Sequence, residues 1–106
     1  ILFEPNSATL TAEANAVIEQ LAARATSLEG TAITIVGHTD SDGNAATNQA
    51  LSEFRAASVL NALAVRGLDA ATLTSDGRGS TEPITDESGA EDKAASRRVE
   101  FVVEAT

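Results

Sequence analysis

Arg55 and Asp40 are the residues of this chain whose types and spacing best suit chemistry. Arg55 falls on a helical repeat that carries Leu51, Phe54, Val59, Ala62 and Val65. At helical pitch, Leu51, Arg55, Ser58 and Ala62 project from one side. A guanidinium does not give up its proton, so an arginine drawn toward that stripe calls for an anionic partner. The candidate is Asp40, in the turn-rich run Gly37-His38-Thr39-Asp40-Ser41-Asp42-Gly43. A strand-end carboxylate facing a helix-borne guanidinium is either a structural ion pair or a receptor for a ligand with both charges. Spacing alone leaves the two readings level. As a receptor, Asp40 takes an ammonium and Arg55 grips a carboxylate through two parallel hydrogen bonds.

The elements that must position this pair are legible as hydrophobic periods. Ile1 to Glu4 reads as a short first strand, closed by the turn signal Pro5-Asn6-Ser7. Leu10, Ala14, Val17, Leu21, Ala25 and Leu28 recur in steps of three and four, which predicts an amphipathic helix. Thr11 is its candidate N-cap and Gly30 its stop. Ala32 to Val36 is β-branched and reads as the second strand. A second helix runs from about Thr47 or Asn48 to Arg66, with Gly67 beyond its end. Thr72 to Thr74 is a weaker third strand, broken by Gly77-Arg78-Gly79. Residues 80–96 are an acidic surface loop with a helical turn near Glu91 to Ala95. Arg98 to Glu104 alternates as a half-buried strand. The order β-α-β-α-β-β implies an α+β two-layer sandwich, a mixed four-stranded sheet with two main helices on one face. The last strand lacks a helical crossover and is free to run antiparallel.

The topology puts Asp40 just past a strand end, where ligands of such sheets bind. The N-terminus of the second helix points back to the same place, and its free N–H groups favour an anion. Asn48, near that opening, can cap the helix or touch a ligand.

Composition narrows the ligand classes. The chain has 106 residues, enough for a single domain, and a net charge of −9. Nucleic acid and anionic bilayers are repelled at long range. No apolar run approaches a membrane span, so this domain is not expected to insert into a membrane. With no Cys, disulfides, thiolate metal sites and cysteine nucleophiles are excluded. There are three Phe and neither Tyr nor Trp, a poor endowment for stacking sugars. The start at Ile1, inside a strand pattern, is read as that of a domain excised from a larger protein.

Gly-His-Thr-Asp at 37–40, Gly43, Asn48-x-x-Leu51-Ser52-x-x-Arg55-Ala56-x-x-Val59, Gly77-x-Gly79 and Arg97-Arg98-Val99-Glu100 together carry a resemblance. The chain resembles the OmpA-like peptidoglycan-binding domain, the type found at the C-terminus of OmpA and in Pal lipoproteins and MotB stator proteins. The similarity extends from Ile1-x-Phe3 with Asn6-Ser7 to the last strand. It implies non-covalent binding of the peptidoglycan stem peptide, with diaminopimelate held at its free amino-acid end. Asp40 and Arg55 would then be the clamp, Thr39, Asn48 and Leu51 would line the pocket, and Arg97 would be a further basic contact. Where the family often has Asn before its paired arginines, this chain has Ser96. The resemblance implies a periplasmic or other extracytoplasmic place in the cell envelope, no cofactor and no metal. Oligomeric state is left open, a homodimer included.

Competing readings fare worse on the residues. His38 beside Asp40 invites general-base chemistry, but no recognisable nucleophile accompanies it, and a satisfied or solvated imidazole fits better. Asp40-Ser41-Asp42-Gly43-Asn44 hints at a calcium loop, yet its glycine comes two positions early and Leu51 stands where the closing Glu belongs. Gly77-Arg78-Gly79-Ser80-Thr81-Glu82 lacks the third glycine of a phosphate loop. Asp40 with Glu53 or Asp42 could pair as glycosidase carboxylates, but nothing marks either as a raised-pKa acid. The acidic run Glu82, Asp86, Glu87, Glu91, Asp92 reads as a solvated face. The chain is therefore expected to be a wall anchor and not an enzyme. The alternative is a structural or protein-interaction module of the envelope, in which Asp40 and Arg55 form an ion pair only. A wall hydrolase ranks behind both.

Overall fold

Two helices cover a small mixed sheet in a computed structural model that describes residues 1–25 and 31–105. The elements are α1 (Ala12–Ala25), β1 (Thr31–Gly37), α2 (Ala45–Val65), β2 (Leu73–Gly77), the short α3 (Lys93–Ser96) and β3 (Val99–Ala105), with a single 3₁₀ turn at Ala70–Thr72. The sheet order is β2-β1-β3. β1 pairs with β2 in parallel, from Ile33 opposite Leu73 to Gly37 opposite Gly77. It pairs with β3 antiparallel, from Thr31 opposite Ala105 to Gly37 opposite Val99. The α+β class and the mixed sheet are as expected, but the sheet has three strands where four were predicted. The Ile1–Glu4 segment makes only a single antiparallel bridge, Leu2 to Arg98. Its ladder stops there because Pro5 has no N–H to donate and Asn6, at φ 55°, turns the chain away.

α1 starts where Thr11 accepts the Ala14 N–H at 3.1 Å, the predicted cap. Its inward stripe is Ala14, Ile18 and Ala22, with Leu21 and Ala25 flanking the core. Val17, placed on that stripe by the sequence reading, is 44% exposed. Leu28 and Gly30 lie outside the described residues.

α2 begins at Ala45, two to three residues earlier than predicted, because the cap is Asn44, which accepts the Thr47 N–H at 2.7 Å. Its end is a Schellman motif. Gly67, at φ 103°, donates to Ala64 O and Leu68 donates to Leu63 O, with Leu68 buried beneath. The buried face of α2 is Asn48, Ser52, Arg55, Ala56, Val59 and Leu63. Three of those six are polar, which is why a reading by apolar type set the stripe partly off the buried face: Val59 is buried and Ala62 packs on the core as expected, but the outer members are not. Phe54 and Val65, assigned to the stripe, are 64% and 85% exposed.

The core joins Phe3, Ile18, Ile33, Ile35, Val59 and Leu63 between the helices and the inner face of the sheet. Each buried large aliphatic side chain contributes about 1.5–3 kcal/mol. α2 settles closely on the strand ends because Gly37 and Gly77, partners in the ladder, present no side chain to it. A Cβ on Gly37 would collide with the Ser52 carbonyl, and one on Gly77 would press on Ser52 Oγ and Glu53. In that space Ser52 Oγ accepts the Gly79 N–H at 2.9 Å.

Segment 80–96 is better ordered than a loop. Thr85 bridges Glu91, and Asp86 accepts the N–H groups of Ser88 and Ala90. The predicted helical turn is α3, capped by Asp92. Ser96, the departure from the family pattern, is buried, donates to Asp92 O and accepts the Ile84 N–H.

Candidate functional site

Arg55 lies in the third turn of α2 and is 1% exposed. The sequence reading expected an anionic partner, but among the described residues its guanidinium bonds to no carboxylate. Nε donates to Ser7 O at 2.8 Å, Nη1 to His38 O at 3.0 Å and Nη2 to Glu4 O at 2.9 Å. Backbone carbonyls thus replace the anticipated anion, and Phe3 adds its ring face, 5.1 Å from Cζ. Burial pushes the Arg55 pKa down to about 10; the charge of Asp40 works against this and that of Arg97 with it. The group stays charged at neutral pH. Three of its five N–H groups are taken, so two are unengaged by the described residues.

Asp40 pairs instead with Arg97, Oδ2 to Nη1 at 3.0 Å. Arg97 is itself anchored by Nε donating to Phe3 O at 3.0 Å. The other Asp40 oxygen accepts the Asp42 N–H at 3.0 Å. Asn48 is buried and works as a loop tie and not as a cap, donating from Nδ2 to Asp42 O at 3.0 Å and more weakly to Asp40 O. Thr39 Oγ1 donates to Asp40 O at 2.8 Å. From outside, Glu91 accepts both the N–H and the hydroxyl of Ser41, and Lys93 pairs with Asp42 at 2.8 Å. The acidic segment therefore braces the Asp40 loop, a role its solvated appearance concealed.

Thr39, Asp40, Asn48, Leu51, Arg55 and Arg97, the six residues singled out from the sequence, all line one polar cleft of about 70 Å³. Pro5, Asn6 and Asp42 complete it. Sequence reasoning passed over Pro5 and Asn6 as a turn. The signal for them was Asn beside Pro, a pair suited to the left-handed turn that residue 6 makes at the cleft. Glu53, weighed as a second carboxylate, does not line it. A larger groove of about 450 Å³ runs alongside between the 1–4 segment and α1, with Arg97 in common. Its other charged lining side chains, Glu4 and Glu13, are both exposed, so no second buried charge faces Arg97 there.

His38 is fully buried and has one partner, Glu100, 3.0 Å from Nε2. Nδ1 has none among the described residues. Burial, reinforced by Arg98, holds its pKa below the ordinary imidazole value, against the pull of Glu100 and Glu82. His38 does not line the cleft, so its imidazole supplies no base there; its backbone carbonyl is what serves Arg55.

The OmpA family matches residues 2–97. The chain belongs to the OmpA family. Its OmpA-family relatives include the outer membrane protein A of Bordetella avium, 38% identical over 101 residues, covering 95% of this chain and 52% of that protein. The chain thus spans about half the length of that relative. Among solved OmpA-like structures, the peptidoglycan-associated lipoprotein from Burkholderia pseudomallei superposes with a TM-score of 0.88 at 28% identity, over 98% of this chain and 88% of that one. The C-terminal domain of Helicobacter pylori MotB gives 0.87 at 25% identity, over 99% and 83%. Among the described residues no helix is long and apolar enough to cross a membrane.

Proposed function

We propose that this domain binds peptidoglycan without covalent chemistry and ties its parent protein to the cell wall, reading the diaminopimelate of the stem peptide. One observation carries the reading: a buried guanidinium with no carboxylate partner among the described residues and a carboxylate line the same small cleft. Family membership and a structural neighbour named for its association with peptidoglycan support it. The domain is a binder and not an enzyme. Its relatives carry the names of outer-membrane and peptidoglycan-associated proteins, which fits a periplasmic or other extracytoplasmic place in the envelope. The ligand ammonium takes the lone pairs Asp40 has left after Arg97 and Asp42, and the ligand carboxylate takes the two unengaged N–H groups of Arg55. Arg97 holds Asp40 in place. A single small head group gives an affinity on the order of micromolar to millimolar, which a repeating polymer can raise through avidity.

A second reading has its own observation. Arg55 bonds three backbone carbonyls from two separate segments, so it is also a structural rivet. Arg55→Ala is therefore expected to cost about 2–5 kcal/mol of stability by stranding those carbonyls, whatever it does to binding. Asp40→Asn is the sharper test. It keeps the size, lowers stability by on the order of 1 kcal/mol, and removes the charge the ammonium reads. The expected result is that the folded Asp40→Asn variant no longer sediments with insoluble diaminopimelate-type peptidoglycan. Wild type should also fail on lysine-type wall, which lacks the second carboxylate. Retention of the variant on the wall would leave only the rivet.

A further inference from the structure

Of the acidic residues in segment 82–92, Glu91 reaches the loop that holds Asp40. Glu82 faces Arg78 at 3.8 Å, Asp86 closes its own turn on the Ser88 and Ala90 N–H groups, and Asp92 caps α3. Glu91 instead crosses 50 positions of chain to Ser41. One of its carboxylate oxygens accepts the Ser41 N–H at 3.1 Å and the other the Ser41 hydroxyl at 2.5 Å. It is half-buried, where residues 81–90 are all exposed. Its backbone is fixed from both sides, since Asp86 N–H donates to Ala90 O and Asp92 N–H to Ile84 O, each at 2.8 Å.

We infer that Glu91 is a positioning residue for the ligand-binding carboxylate, acting through the Ser41–Asp42 peptide. The inference rests on the clamp reading of Asp40 and Arg55 and adds the group that sets the aim of Asp40. Beyond Ser41, the next N–H along the chain is that of Asp42, which donates to Asp40 Oδ1 at 3.0 Å. Arg97 holds Oδ2 at 3.0 Å. Those two bonds are what the described residues supply to the carboxylate, and its remaining lone pairs are the ones an ammonium meets. Asn48 pins the Asp42 carbonyl from α2 at 3.0 Å, and Glu91 pins Ser41 from the opposite segment. Released at Ser41, the Asp42 N–H turns away from Asp40. A carboxylate held at one oxygen takes several orientations, and the ligand must then order it at a cost in affinity. Lys93 pairs with the Asp42 side chain at 2.8 Å and leaves this N–H alone, so it does not share the role.

Glu91→Ala and Glu91→Gln separate aim from charge. Glutamine keeps an oxygen for the Ser41 N–H and offers an N–H to the Ser41 oxygen, without the charge. The folded proteins are titrated with free meso-diaminopimelate and followed by NMR, at about 0.05 M and about 0.5 M salt. Glu91→Ala is expected to weaken binding about three- to tenfold at both salt concentrations, the worth of roughly one hydrogen bond. In the unliganded domain its Asp42 amide proton should move upfield as the bond to the carboxylate loosens. Glu91→Gln is expected to keep that signal in place and to bind within about twofold of wild type. Wild-type affinity in Glu91→Ala overturns the inference and leaves the clamp standing. So does an unmoved Asp42 amide, which would make Glu91 a fastener of its own segment only. So does an equal loss in both variants that fades at high salt, the mark of charge alone. If wild type does not bind diaminopimelate, the clamp reading fails and the role of Glu91 fails with it.

Discussion

At the scale of single residues, charge type found the site and missed its wiring. Asp40 and Arg55 were legible because charged residues stood where a strand end and a helix face should meet; Arg97 was named only through the family resemblance. Their pairing was not legible. Asp40 reaches Arg97 across 57 positions of chain, and Arg55 is satisfied by carbonyls, which every residue owns and no sequence displays. His38 shows the same limit. Its Glu100 partner lies 62 positions away, and only the fold reveals the unpartnered Nδ1. A pH dependence follows. Unfolded imidazole protonates near the ordinary 6.5, while burial makes the folded one resist. In that window the unfolded state binds more protons, so the stability His38 provides is complete above pH 6.5 and is lost as pH falls through its lowered folded value. Urea midpoints measured from about pH 8 to pH 5 should decline at the acid end, with a smaller decline in His38→Gln. Parallel curves for the two proteins would contradict this.

At the scale of elements, periodicity located both main helices and the three paired strands, and erred where polar residues take core positions. The buried face of α2 is built on Asn48, Ser52 and Arg55 because its first turns wall a cleft, while its last turns, with Val59 and Leu63, wall the core. An alternating apolar pair, Ile1 and Phe3, mimicked a full strand, but a ladder needs donors beyond it and Pro5 withholds one. Gly37 looked like a turn residue and is instead the contact point between β1 and α2. Gly37→Ala should therefore force the helix off the sheet at a cost of about 3 kcal/mol or more, carrying Arg55 away from the His38 carbonyl. Chemical denaturation, with the Asp40 loop amides followed by NMR, would register both effects. An alanine variant of unchanged stability would mean that the close approach is not structurally required.

At the scale of the whole molecule, the described parts form one layered body whose acidic surface, at net −9, surrounds a notch holding two of its seven basic side chains, Arg55 and Arg97. Those two arginines grip Phe3, Glu4 and Ser7, the stretch that precedes α1. Tension applied at Ile1 meets first the single bridge that ties residues 1–3 to Arg97, Arg98 and Val99, and next the receptor's own arginines, before it loads the β1–β3 ladder. Optical-trap pulling from the amino end should shorten the lifetime of the wall-bound state at forces that leave the sheet folded, whereas the same pull on β3 should load the ladder first. A tether with its latch on the load path lets go of its anchorage while its own body is still intact.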